Sequence, residues 1–223
     1  MTPRDAYFAE VPALHSWDGG QSWNTGGFGA SALRKLLETI ERDYGAGARI
    51  LETGAGNSTC TFLLAAPSLV VSIEPSAGLF DRIRAACARF GIDPAPLRAL
   101  ADLSERALPR IAAEPGEAGS FDVVLINGNH GWPYVFVDLC YAHTLLRQGG
   151  LLLLDDVQIH AVKEAARFVA RDPNYEAVLD LSKTLGFRKT TTRHNFGYHL
   201  SNPYVVERTE ADAAAGRAFT LFG

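Results

Sequence analysis

Two adjacent carboxylates, Asp155-Asp156, follow the apolar run Leu151 to Leu154, and they repel one another unless a cation or hydrogen-bond donors lie between them. That makes them a candidate hard-metal site, with helix capping by Asp155 as the plainer alternative. A second polar cluster, Asn127-Gly128-Asn129-His130-Gly131-Trp132-Pro133, follows the run Phe121 to Ile126. A third, Glu52-Thr53-Gly54-Ala55-Gly56-Asn57-Ser58-Thr59, puts glycines where a strand turns sharply into a helix, so that backbone can approach a ligand at the helix N-terminus. The G-x-G-x-x-G of nicotinamide dehydrogenases needs a third glycine where Thr59 stands, which weighs against a dinucleotide. Glu74 closes the run Leu69 to Ile73, where a carboxylate can accept both hydroxyls of a ribose, so an adenosine-bearing ligand is expected. Asp102 and Ser104 offer short polar groups to an adenine edge, or Ser104 caps the next helix.

The elements that must position these residues are short apolar runs alternating with amphipathic stretches. This is the pattern of a parallel sheet with crossover helices, in which ligands bind beyond the carboxyl ends of the strands. Strands are expected over 49–53, 69–73, 97–101, 121–126 and 151–154. Helices are expected over 31–42, with Ser31 as N-cap, and over 58–66, 77–90, 105–113, 133–147 and 162–171. Residues 175–181 and 196–200 are expected to pair as a closing β-hairpin, leaving the basic stretch Lys183 to His194 as its connection, a solvated loop or one that contacts an anionic substrate. The chain is read as one domain over 1–223: an N-terminal arm or lid over 1–30, a core over 31–201 and a tail over 202–223. In the arm, Trp17, Trp23 and Phe28 stand among glycines, a mixture suited to a loop that closes over a ligand.

A composition of 47% hydrophobic and 21% charged residues excludes wholesale disorder, collagen and coiled coil. The formal charge of −4 supplies no general positive field for a nucleic-acid backbone. Three scattered cysteines, Cys60, Cys87 and Cys140, indicate neither a disulfide framework nor a zinc knuckle and suit a reducing cytoplasm. No apolar stretch approaches the ~18 residues of a membrane span, and residues 1–14 lack the continuous apolar segment of a secretion signal. Trp132 and Tyr134 are read as core packing, with a wall for an apolar substrate as the alternative, Cys60 as buried filler, and His160 as a second histidine near the acidic pair.

Taken together, Glu52-x-Gly54-x-Gly56-x-Ser58, the acid Glu74, Asp102-x-Ser104 and the block from Phe121 to Asp156 resemble the class I S-adenosylmethionine-dependent methyltransferases. The nearer likeness is to the branch of catechol-type and macrolide-sugar O-methyltransferases, and it spans residues 47–160. The resemblance implies a doubly wound Rossmann-like α/β fold with a seven-stranded, mostly parallel sheet whose last strand is antiparallel. It implies that Glu52, Gly54, Gly56, Ser58, Glu74, Ser104 and Asn127 form the cofactor site, with the two glycines along the methionine moiety, Glu74 on the ribose and Ser104 by the adenine. It also implies magnesium ligands at Asn127, Asp155 and Asp156, with His130 as general base. Asn127 and Asn129 stand where aspartate is usual in the sugar-modifying enzymes, and the first of these removes a formal charge from the metal site.

The expected activity is methyl transfer from S-adenosylmethionine to a hydroxyl of a small molecule, such as a natural product, with magnesium assistance. A metal-independent O- or N-methyltransferase and a non-catalytic adenosyl-binding module are the alternatives. The expected partner is a small-molecule acceptor, with neither nucleic acid nor membrane, and association into a homo-oligomer stays open.

Overall fold

The central apolar runs become strands buried on both faces, because alternate side chains enter two different cores. The computed structural model describes residues 1–15 and 27–216. Its elements are α1 (Pro3–Ala9), α2 (Ala30–Asp43), β1 (Arg49–Thr53), α3 (Asn57–Leu64), β2 (Leu69–Ile73), α4 (Ala77–Phe90), β3 (Leu97–Leu100), α5 (Ser104–Ala113), β4 (Phe121–Ile126), α6 (Tyr134–Leu145), β5 (Leu146–Leu154), α7 (His160–Arg171), β6 (Tyr175–Asp180), β7 (Leu185–Lys189) and α8 (Pro203–Ala214). The strands form one seven-stranded sheet in the order β3-β2-β1-β4-β5-β7-β6. All neighbours are parallel except β7, which runs antiparallel to both β5 and β6. The implied Rossmann-like methyltransferase fold is therefore the one observed.

Ile50, Val70, Val123, Leu125, Leu151 and Leu153 pack on one face with α1 to α4. Leu51, Val71, Val124, Ile126, Leu152 and Leu154 pack on the other with α5 to α7. The strand order reverses between β1 and β4, and at such a switch point the connections leave to opposite faces and open a crevice at the carboxyl ends of the strands.

The closing hairpin differs from the expectation. β6 pairs with Leu185–Lys189, whereas residues 196–200 form no strand. The stretch 183–194 is thus not a solvated connection: Phe187 and Lys189 are both buried, and the Lys189 ammonium donates to the carbonyls of His143 (2.5 Å) and Leu146 (2.8 Å). β5 also begins at Leu146, inside the stretch expected as helix, and the N-cap of α2 is Gly29 rather than Ser31.

Residues 1–15 are tied down. Thr2 and Asp5 make a reciprocal capping box at the start of α1. Tyr7 is buried, and its hydroxyl donates to Asn57 Oδ1 (2.9 Å) at the start of α3. The Asn57 amide in turn donates to the Pro12 carbonyl (3.0 Å), and Arg82 to that of Leu14 (2.7 Å). Of the stretch expected to close as a lid, residues 16–26, with Trp17 and Trp23, lie outside the described residues, and Phe28 is buried.

Candidate active site

The crevice at the switch point is a cavity of about 390 Å³. Its walls come from the ends of β1 (Gly54, Ala55), β2 (Glu74) and β4 (Asn127 to His130), with Ser104 at the start of α5, Asp156 after β5, and His15 and Gly27 from the N-terminal arm.

The turn after β1 is shaped by what lies behind it. Glu52 is completely buried, and its carboxylate accepts hydroxyls from Ser58 (2.6 Å), Ser72 (2.7 Å) and Thr59. Thr59 also accepts the Gly56 N–H (3.0 Å), so its own proton is committed to Glu52. Burial, the largest influence, pushes the Glu52 carboxyl up to about 7 against these three hydroxyls. Gly54 has φ +81° and packs against the Asn127 backbone, so neither its conformation nor its surroundings admit a side chain. A Cβ on Gly56 would stand 2.7 Å from His15 Nε2, which makes His15 the lid of that glycine.

Of the residues expected to hold the cofactor, Gly54, Glu74, Ser104 and Asn127 line the one cavity. Glu52 and Ser58 do not: both are buried behind the turn and bonded to each other. Gly56 lies under His15, and Ser104 is the first residue of α5 rather than its cap. Glu74 is half-buried, with Oε1 accepting the Ser76 N–H (3.0 Å). Glycine backbone from Gly54 and Gly128 on one wall and a carboxylate on another fit an adenosyl ligand with a ribose and a charged amino-acid end.

The far wall carries His130. Its Nε2 is buried with no hydrogen-bond partner among the described residues, and its Nδ1 stands 3.6 Å from Asp156 Oδ2. Burial, aided by Lys183 and opposed by Asp156, holds the imidazole below its ordinary pKa, so it is neutral at pH 7. His160 is exposed at the start of α7 and does not line the cavity. Trp132 (65% exposed) and Tyr134 (38%) are not core residues, in contrast to the packing role expected of them, whereas Cys60 is buried as expected.

The acidic pair already has a cation beside it, although Asp155 Oδ2 is buried without a hydrogen bond among the described residues. Asp155 is fully buried, and its Oδ1 accepts the Thr184 hydroxyl. Asp156, in the left-handed region at φ +57°, accepts Gln158 Nε2 (2.8 Å) and Lys183 Nζ (3.0 Å) on Oδ1. The same ammonium lies 3.8 Å from Asp155 Oδ2. Burial pushes Asp155 up to about 6, opposed by Thr184 and Lys183. With a lysine ammonium between them, Asp155 and Asp156 do not fit magnesium: a divalent ion on the same oxygens would stand beside a like charge. Sequence reasoning missed Lys183, Thr184 and His15 as parts of this site. The signal for the first two was the antiparallel register of β7 on β5, hidden by the mispaired hairpin.

A family model described as a methyltransferase domain matches residues 51–157. Among solved structures, the O-methyltransferase TomG from Streptomyces achromogenes, involved in tomaymycin synthesis and in complex with SAM, is similar at 18% identity over 85% of this chain and 97% of its own, with a TM-score of 0.61. An O-methyltransferase from Bacillus cereus in complex with SAH is similar at 20% identity over 73% of this chain and 81% of its own (TM-score 0.58). A putative caffeoyl-CoA O-methyltransferase from Staphylococcus aureus is similar at 14% identity over 84% and 97% (TM-score 0.61). No curated protein sequence matches the chain. At these identities the structural likeness establishes the fold.

Proposed function

We propose that the chain, whose residues 51–157 match a methyltransferase-domain model and whose fold is shared by O-methyltransferases, is a class I S-adenosylmethionine-dependent methyltransferase that methylates a hydroxyl of a small molecule with His130 as general base. One observation carries this reading: Glu74 and His130 line the same cavity from opposite sides of the switch point, with Gly54 and Gly128 between them.

Glu74 receives the ribose hydroxyls, and Gly54 and Gly128 let backbone come close enough to hold the amino-acid end. Ser104 stands at the adenine end of the same cavity. When bound, S-adenosylmethionine supplies a methyl group activated on a sulfonium for in-line displacement. His130 then takes the acceptor's proton on Nε2, the nitrogen left without a partner, and is poised for this because burial keeps it neutral. Asp156, beside Nδ1, steadies the imidazolium that results. The exposed Trp132 and Leu103, the latter on the cavity wall, offer apolar surface to the acceptor.

The test is calorimetric titration with S-adenosylhomocysteine, followed by transfer of labelled methyl from S-adenosylmethionine to a panel of phenols, sugar hydroxyls and amines. Binding with transfer to a hydroxyl supports the reading, and transfer to amines alone overturns the choice of atom. Binding without transfer to any acceptor identifies an adenosyl-binding module. Absence of binding removes the proposal.

A further inference from the structure

We propose that the ammonium group of Lys183 is the resident cation of this site, occupying the charge position between Asp155 and Asp156 that a divalent metal would take, and that Lys183 acts as a positioning residue for Asp156 and His130. The positioning role rests on the reading of His130 as the proton acceptor; the exclusion of a metal does not.

The sheet itself delivers the lysine. β7 pairs antiparallel with β5 from Leu151↔Arg188 to Leu154↔Leu185. Continuing that register past the end of β5 sets Asp155 opposite Thr184 and Asp156 opposite Lys183. The chain keeps to it: Val157 N–H donates to the Lys183 carbonyl (2.9 Å), and the Thr184 hydroxyl reaches Asp155. Both carboxylates therefore meet a donor from the segment leading into β7. Lys183 Nζ lies 3.0 Å from Asp156 Oδ1 and 3.8 Å from Asp155 Oδ2, and 5.8 Å from the centre of the buried Phe28 ring. Only 28% of the Lys183 side chain is exposed, so its charge acts in a setting where water screens it weakly.

The consequence follows from the order of charges. Lys183 holds one oxygen of Asp156, and the other oxygen faces His130 Nδ1. The carboxylate is thereby fixed between an ammonium and an imidazole, an arrangement that orients the ring and favours its protonated form when the acceptor gives up a proton. Asn127, which supplies no charge, is in keeping with a site whose countercharge is built in. The proposal thus selects a metal-independent transfer in which the chain supplies both base and cation.

The decisive experiment is electron paramagnetic resonance of Mn²⁺ added to the full chain. Wild type is expected to leave the aqueous Mn²⁺ signal intact. Lys183→Met, which keeps the length and removes the charge, is expected to gain a site that quenches the signal, with affinity raised at least about tenfold over wild type. Lys183→Arg is expected to exclude Mn²⁺ as wild type does. One-to-one Mn²⁺ binding by wild type that Asp156→Asn removes would overturn the proposal, as would a folded Lys183→Met as indifferent to Mn²⁺ as wild type. The wild-type arm decides the question even if Lys183→Met does not fold. S-adenosylhomocysteine titration of wild type reads the methyltransferase function separately, so failure of one reading is distinguishable from failure of the other.

Discussion

The carbonyl oxygen of Asn127 crowds the Cα of Gly54 so closely that a methyl group built there would stand 2.0 Å from it. The ends of β1 and β4 therefore touch backbone to backbone at the floor of the cavity, and Gly54 is further held at φ +81°, where a Cβ is strained in its own right. Gly54→Ala must push Asn127 aside as well as bear that strain. The expected loss is more than ~1 kcal/mol of stability, seen as a lowered melting temperature, together with weaker S-adenosylhomocysteine binding. An alanine variant that melts with wild type would show that the two strand ends are not held together as described.

Glu74 offers the complementary case, a side chain with little structural work. Its carboxylate accepts the Ser76 N–H and lines the cavity. Removing a carboxylate that accepts two hydroxyls is expected to cost ~1.5–3 kcal/mol of S-adenosylhomocysteine affinity, about one to two decades, with the melting temperature of the free protein nearly unchanged. Calorimetry on Glu74→Ala checks this, and undiminished affinity would remove Glu74 from the ribose.

These two residues were legible because their signals are local: a glycine turn after an apolar strand, and an acid closing the next strand. The right-hand edge of the sheet was not. β7 reads Leu-Gly-Phe-Arg-Lys, with charges where hydrophobic alternation expects apolar residues. Lys189 satisfies itself inside by donating to two backbone carbonyls, and Gly186 is required because a Cβ there would lie 2.8 Å from Leu179 Cβ. Neither fact shows in apolar periodicity, so the apolar and aromatic residues of 196–200 looked the better partner. That one mispairing removed Lys183 and Thr184 from the neighbourhood of Asp155 and Asp156 and left the acidic pair reading as a metal site. Glu52 was misplaced for a different reason: its motif position is at the ligand, but its side chain turns inward to three hydroxyls.

Glu52 predicts a dependence of stability on pH. Its folded pKa of about 7 exceeds its ordinary 4.5, so between these values the folded chain holds a proton that the unfolded chain has released. Stability from this group is accordingly greatest below 4.5, falls as pH rises, and levels off above about 7. Glu52→Gln has no such proton, and groups common to both proteins cancel in the comparison. The melting temperature of wild type relative to Glu52→Gln is expected to fall between about pH 5 and about pH 7.5. A difference that stays constant or rises over that interval would contradict a raised Glu52.

His130 decides whether the chemistry belongs to the chain. Its Nε2 is buried and unpartnered among the described residues, and that is a costly state unless something else uses the nitrogen. A merely structural histidine in a tight turn would spend both nitrogens on neighbouring backbone; this one lines the cavity, leaves Nε2 without a partner among the described residues and sets Nδ1 beside Asp156. Replacing it with alanine removes an unsatisfied polar group rather than a bond, so His130→Ala is expected to fold, to melt near wild type and to bind S-adenosylhomocysteine as before. Its methyl-transfer rate is expected to fall ~10²–10⁴-fold, the usual contribution of a positioned base. The loss should be smaller for acceptors that ionise readily, because an acceptor already deprotonated has no use for a base. Single-turnover transfer to a series of phenols of falling pKa reads this directly. Equal rates for His130→Ala and wild type across the series would exclude the base, and an equal loss for every phenol would reduce His130 to a residue that shapes the cavity.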